Sequence, residues 1–426
     1  MRTRSGETSE TGDETGEPEL PEVRSEEPHD DDPQLDESER AQLAAANHAL
    51  SLDLYHALRE GQTKDKGFAL SAYSIQTAFG MVYAGTVEPA RAEIESTLHF
   101  SLADERQHVG FNWLDAPARR PQHARGGRRR GQGRPGHHRD RQRPMGAREH
   151  GPGPSAPLPR PALDPLRHRR LPGRLRRPAG GRARAHQRLG VRAHPRPDPR
   201  ALPGRTINDS TTLVLANAFY LKAPWANAFE ESSTTSQPFT RLDGTQVMVD
   251  MMAAYELTGQ YGQGAGWVAV GLPLRGQALD VVAIMPEDFT AFEAGLDDAT
   301  LDSVLGSMEG ALLQVELPRF ELSTDVTLNG ELAELGMPTV FGNSAVFDDI
   351  VPGGPGVITT VIHKTVISVD EKGTEAAAAT GIVFGDDGSP GIDYQVRIDR
   401  PFFLVIRDQP TNTLLFFGRV LDPTAG

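Results

Sequence analysis

Between Ala116 and Arg205 the chain has no Phe, Trp, Tyr, Ile or Lys, while Arg and Pro recur every few residues, as in ARGGRRRGQGRPGHHRDRQRP. Such a stretch cannot bury enough apolar surface to offset the entropy lost on ordering it. Any core must therefore be assembled from the residues on either side. Residues 1–40 are expected to add nothing to it either: they are rich in Glu, Asp, Ser, Pro and Gly and are predicted to form a disordered acidic arm, a solvated tail rather than a partner-binding one. A length of 426 residues could accommodate two or three average domains. The apolar segments, however, run from near residue 41 to the last few residues as one unit. The expected organisation is a single domain over 41–424, interrupted by 116–205.

Composition excludes several function classes. With no cysteine there is no disulfide, no thiol nucleophile and no thiolate metal site, and the redox compartment is left open. No apolar run approaches the roughly 18 residues of a membrane-spanning helix. The opening MRTRSGETSETGDETGEPE lacks the apolar core of a secretion signal. The motifs Gly-x-Ser-x-Gly and His-Glu-x-x-His and a phosphate loop are all missing, so the chain is not expected to be an enzyme or to need a metal or other cofactor. The net charge of −14 sums acidic ends with a positive middle and is no guide to partners.

The carboxyl-terminal third carries the informative pattern. VITTVIHKTVISVD has the β-branched richness of a buried strand. EKGTEAAAAT, Glu371 to Thr380, follows it, and then GIVFGDDGSPGIDYQ, punctuated by Gly, Asp and Pro like a loop. The alanines alone fit a helix as well as a strand. As a strand, period-two alternation puts Thr374, Ala376, Ala378, Thr380, Ile382 and Phe384 on one face and Glu375 on the other. VRIDRPFFLVIRDQPTNTLLFFGRVLDPT then reads as a closing hairpin.

In this order, a hinge of the form EEGTEAAAAT, a loop, a strand with D-R-P-F and an L-F-x-G-R-V-x-x-P ending, the chain resembles a serpin. NHALSLDLYHALREG through LHF at 46–100, INDSTTLVLANAFYLKAPW at 207–225, VAVGLPLRGQALDVVAIMPED at 268–287 and LLQVELPRFELSTDVTLNGELAELGMPTVFG at 312–342 are similar to further segments of that family. Ala72 departs from the family's usual proline in its S-P-x-S turn. The resemblance implies an α+β fold of three β-sheets with about eight to nine helices and an exposed reactive loop.

It also implies a mechanism: a serine protease attacks the loop as substrate, forms an acyl-enzyme, and is trapped when the cut loop slides into the main sheet. The expected partner is that protease, held covalently by a monomeric inhibitor, with no nucleic acid or membrane involved. The implied hinge is Glu371, Gly373, Thr374, Glu375, Ala376, Ala377, Ala378, Ala379 and Thr380. At the spacing typical of inhibitory members the reactive bond joins Asp387 to Gly388, with Phe384, Gly385 or Asp386 as alternatives before the cut. Glu371 is expected to pair with Arg319, and His363 to face Ser71, Ser74 and Asn217 in a polar cluster that holds the sheet closed. Trp225 is expected to pack at the sheet top. The family's inhibitors imply an extracellular or cell-envelope location; without a visible signal, the cytoplasm stays open.

Two rival readings are weighed against inhibition. Noninhibitory serpins tend to carry bulky, charged or Pro residues in the hinge, where this chain has small ones. The Arg-rich interval fits a phosphate-binding arm, but basic arms usually mix Lys with Arg and seldom stand between two halves of one sheet. A shifted reading frame explains the interval better. Met145-Gly146 must be ATG followed by GGN, so reading one base later forces a tryptophan codon. Gln142-Arg143 likewise becomes Asn or Ser, and with C-ending Arg codons and Asn there the shifted peptide begins Ala-Asn-Ala-x-Trp, similar to the family's A-N-A-L-W-G strand. Frame would be lost near Asp115 and regained near Arg205.

Overall fold

The computed structural model describes residues 33–119, 213–221, 223–342, 357–373 and 391–425. The expected hinge beyond Gly373, the reactive bond and nearly all of the Arg/Pro-rich interval lie outside them.

The first helix, α1 (Glu37–Glu60), begins at a capping box, so the end of the arm expected to be disordered up to residue 40 is instead ordered from Asp36, and Leu35 before it is buried in the core. The Asp36 side chain accepts the Glu39 N–H at 2.9 Å, and the Glu39 carboxylate accepts the Asp36 N–H at 2.9 Å, so donors that the helix start leaves orphaned are satisfied. Its apolar face buries Leu43, Leu50, Leu54 and Leu58, residues four or seven apart on one stripe. Tyr55 on the same helix stacks on Phe68 at 5.2 Å and meets Phe417 edge-on at 5.1 Å. Then come β1 (Phe68–Leu70), α2 (Ala72–Tyr83), α3 (Ala90–Thr97) and α4 (Asp104–Arg119). Ala72, where the family has proline, is the first residue of α2, directly after its N-cap Ser71.

The second half supplies most of the strands: β2 (Leu213–Tyr220), β3 (Thr235–Thr240), β4 (Gln246–Gly264), β5 (Trp267–Pro273), β6 (Leu279–Pro286), β7 (Glu309–Pro318), β8 (Phe320–Thr327), β9 (Ile358–Val369), β10 (Tyr394–Arg397), β11 (Phe402–Asp408) and β12 (Thr413–Val420). Helices α5 (Phe289–Ala294), α6 (Asp298–Gly306) and α7 (Asn329–Leu335) interrupt them. Among the described residues nine strands form one hydrogen-bonded sheet in the order β1-β12-β11-β6-β5-β4-β7-β10, with β3 on β4. β4 serves two sections of it. Its amino-terminal half pairs with β3, its carboxyl-terminal half with β5, and β7 runs along both halves past a register shift between Ala254 and Leu257. Two of the three expected sheets are thus continuous through one long bent strand. Every residue of β11 and β12 is buried, as befits strands covered on both faces.

The other sheet has three strands among the described residues, in the order β2-β9-β8. β8 alternates buried and exposed along its whole length, so one face of this sheet packs on the core. Threonines tie that face to β1. Thr365 Oγ1 donates to the Ala69 carbonyl at 2.7 Å, and the Ala69 N–H donates to Thr324 Oγ1 at 3.1 Å.

Candidate functional site

The site is a seam. β2 and β9 run parallel and pair directly, from Leu213 with Ile358 to Tyr220 with Val366, so no strand lies between them. Both strands end on the same side, and the chain leaving β9 turns there. Pro224, just past β2, forms an antiparallel bridge with Gly373, just past β9. A segment doubling back from Gly373 between the two strands would therefore run antiparallel to each.

The base of that turn is fastened from several directions. Glu371 is 3 % exposed, yet its carboxylate is fully engaged: Arg319 Nη2 donates to Oε1 at 2.5 Å and Oε2 at 2.7 Å, and Thr234 Oγ1 donates to Oε1 at 2.6 Å. Burial pushes this carboxyl up. Hydrogen bonds from Thr234, from its own backbone and from Arg319, with the guanidinium charge, outweigh that and hold it below the ordinary glutamate value. The Glu371 carbonyl accepts the Phe229 N–H at 2.9 Å, and the Lys372 carbonyl accepts the Trp225 N–H at 3.1 Å. Trp225, 1 % exposed, donates its indole N–H to the Asp370 carbonyl at 2.8 Å. Asp370 in turn accepts the backbone N–H groups of Lys372 and Gly373 at 2.8 and 3.1 Å, an Asx turn that aims the chain.

Gly373 is required at the exit. Its φ is +135°, and a Cβ there would meet the Ala223 carbonyl oxygen and Pro224 Cα at 2.4 Å. Both the backbone conformation and the close approach exclude a side chain.

Beneath the seam lies His363, wholly buried. Its Nε2 accepts the Ser71 N–H at 3.1 Å, so the neutral ring carries its proton on Nδ1. Among the described residues Nδ1 has no hydrogen-bond partner. Burial holds the imidazole down at about 4. Ser71 Oγ also caps α2 by accepting the Ser74 N–H at 3.3 Å. Asn217 is the register partner of His363 across the seam; its side chain lies outside the described residues.

The structure thus brings Glu371, Arg319, Trp225 and Gly373 together at one end of the seam, and His363, Ser71 and Ser74 together below it. Thr374, Glu375, Ala376, Ala377, Ala378, Ala379 and Thr380, and the bond residues Phe384, Gly385, Asp386, Asp387 and Gly388, lie outside the described residues. Sequence reading missed Thr234, Asp370, Thr365 and Thr324. Only Thr365 carried a local signal, two residues from His363 on the same face of β9. Among the described residues no group of three or more His, Cys, Asp or Glu side chains is placed to hold a metal ion, and no helix is long and apolar enough to cross a membrane.

Comparison with known proteins places this geometry. The chain is 29% identical over 227 residues to Serpin B4 of Homo sapiens, covering 52% of this chain and 58% of that protein. It is 32% identical over 230 residues to a serine protease inhibitor of Cyanea capillata, covering 52% and 60%. The chain thus spans little more than half the length of these curated relatives. Among solved structures, a thermophilic serpin, tengpin, in the native state superposes with a TM-score of 0.60 at 17% identity, covering 91% of this chain and 95% of that one; this is a likeness of fold. The family model described as serpin (serine protease inhibitor) matches residues 45–124 and 199–423, leaving 125–198 between the two matched stretches. Those two stretches make up well over half of the sequence and contain the whole seam, its polar floor and the fastened turn above it: the chain belongs to the serpin family.

Proposed function

We propose that this protein is a suicide-substrate inhibitor of serine proteases and not an enzyme, and that it traps its target by inserting the cleaved loop between β2 and β9. The observation that carries the reading is the seam: two parallel strands paired directly, with the loop leaving from a braced turn at their common end. The relatives named as serpins and as a serine protease inhibitor support it.

The chemistry follows from the ladder. Attack of the protease serine on the Asp387–Gly388 carbonyl expels the amine of Gly388 and leaves Asp387 as an ester on the enzyme. Residues 374–387 are then free at one end. As an added strand they exchange one parallel ladder for two antiparallel ones, satisfying backbone groups that the loop otherwise leaves to water. Fourteen extended residues reach about 48 Å, while the eight of β2 span about 27 Å. The esterified protease would be carried past the far end of the strand. A small displacement of its serine from the oxyanion hole stalls deacylation.

The noninhibitory alternative fits less well. The hinge Gly373, Thr374 and Ala376 to Ala379 offers nothing bulky or charged to the buried face, and small residues there serve no purpose in a loop that never enters a sheet. The domain begins at the capped start of α1 and runs to 424, with 116–205 an out-of-frame interruption, and the working form is monomeric and exported. The test is direct. A chain with 116–205 restored to frame is mixed with subtilisin, chymotrypsin and a Glu-specific serine protease, and the products are boiled in SDS. A covalent complex with at least one of them is expected; turnover of the loop by every protease without trapping removes the proposal.

A further inference from the structure

Beside the point where the loop rejoins the sheets lies a cleft of about 470 Å3, walled by Tyr261, Gln263, Ser307, Glu309, Asp393 and Tyr394 with small residues between them. Tyr261 and Tyr394 stack with ring centroids 3.8 Å apart and planes 12° from parallel, and Tyr394 is 41% exposed. Tyr261 stands directly opposite Glu309 across the β4–β7 ladder, which puts their Cβ atoms on one face, about 5 Å apart. Asp393 is held in place by Leu312: its N–H donates to the Leu312 carbonyl at 2.9 Å, and its Oδ2 accepts the Leu312 N–H at 2.8 Å. The Tyr261 hydroxyl donates to Gln263 Oε1 at 3.1 Å. Neither Lys nor Arg lines the cleft.

Two carboxylates and a stacked pair of π faces, with no cation among them, make a receptor for a positive charge. The carboxylates attract it, and the ring quadrupole adds a cation–π contact. The place matters as much as the chemistry. Tyr394 opens β10 and lies six positions after Gly388, so the chain can set it at most about 22 Å from the reactive bond. That bound puts the cleft within reach of a protease seated on the bond.

We propose that the cleft receives an arginine or lysine side chain from the surface of the target protease, a second docking point on the carboxyl-terminal side of the loop. The identity of the partner rests on the function proposed above, while the preference for a cation rests on the cleft alone.

The test uses a protease that can dock but cannot react: chymotrypsin, a basic protein, with its active-site serine sulfonylated. Its affinity for the immobilised full chain is measured at low and at physiological salt. The double variant Glu309→Gln with Tyr394→Ala is expected to bind about fivefold more weakly and to lose most of the salt dependence, whereas Tyr394→Phe, which keeps the stacked ring, binds like the parent. Both changed residues are exposed, and matching melting temperatures establish that the variants are folded. Equal binding by parent and double variant, or a salt dependence the double variant retains, overturns the proposal. The two readings separate cleanly. Docking that needs Glu309 and Tyr394, from a chain that never traps active protease, removes the inhibitory function and leaves the cleft. Trapping by a chain whose docking ignores both residues removes the cleft alone.

Discussion

At the residue scale the seam is governed by two buried groups of opposite kind. Glu371 is a carboxylate supplied with donors, and charge-assisted hydrogen bonds of this sort contribute roughly 1.5–3 kcal/mol each where solvent is excluded. Arg319 is half exposed, with 45% of its side chain open to solvent, so its share sits at the low end. Because the Glu371 value is depressed, its contribution is complete above the ordinary glutamate range and is lost as pH falls through the folded value. His363 behaves differently. Its folded value of about 4 lies below the ordinary 6.5, so between those limits the unfolded chain binds a proton that the folded chain refuses. Stability therefore rises with pH across that window and is fully present above about pH 6.5. Acidification from pH 7 to 4 is expected to cost on the order of 3 kcal/mol at this one residue. Thermal melts of the parent against His363→Gln, whose amide oxygen can still accept the Ser71 N–H, measure it. The variant should show a flatter pH profile between 4 and 6.5, and superimposable profiles would mean the ring is not the titrating group.

At the element scale the proposed mechanism exchanges one parallel ladder for two antiparallel ones, and it makes the hinge just beyond Gly373 the gatekeeper. Thr374 falls on the alternation face that would be buried. Replacing it by Arg forces an unpaired charge into the sheet, a cost of several kcal/mol, so Thr374→Arg is expected to lower the trapped fraction about tenfold or more while leaving the loop cleavable. Gel quantification of complex against cleaved inhibitor reads this ratio, and an unchanged ratio contradicts strand insertion. How legible these elements are in the sequence varies with the range of their interactions. The strand at 358–369 and the closing hairpin announce themselves through β-branched runs and turn residues, whereas the helices within 46–100 are legible only through the family resemblance. β4 does not. QVMVDMMAAYELTGQYGQG is broken in the middle by the register shift at Ala254 to Leu257 and by Glu256 at φ +59°, which destroys simple alternation. Thr234 is 137 residues from Glu371 in sequence. No local pattern connects them; the Glu371–Arg319 pair was readable only because a family motif carries both residues.

At the scale of the whole molecule the question is whether the three-stranded sheet can act as a switch without what belongs beside it. β2 pairs with β9 on one edge, and among the described residues nothing pairs with the other. Its sequence, LVLANAFY, has no charge and no proline, the composition of a strand meant for a sheet interior and a hazard when left at an edge. Residues 116–205 have a single β-branched residue, Val191, and no Phe, Tyr or Trp to supply the neighbour, whereas the proposed shifted frame would add a tryptophan there. A sheet that opens between β2 and β9 must hold each half rigid while they part. β9 is braced by β8 along eight register pairs, so the weak half is the β2 side. Restoring the frame should therefore matter more to insertion than to the rest of the fold. The measurement is the melting temperature before and after a single cut in the loop. In the restored chain, insertion adds a fully paired strand, and the cut form is expected to melt more than about 10 °C higher than the intact one. The chain with the Arg/Pro-rich interval should gain far less from the same cut, because among the described residues no strand braces its β2 side. If the restored chain shows no rise, its loop stays outside after cleavage and the protein is a noninhibitory serpin; if both chains rise equally, the interval does not limit the switch.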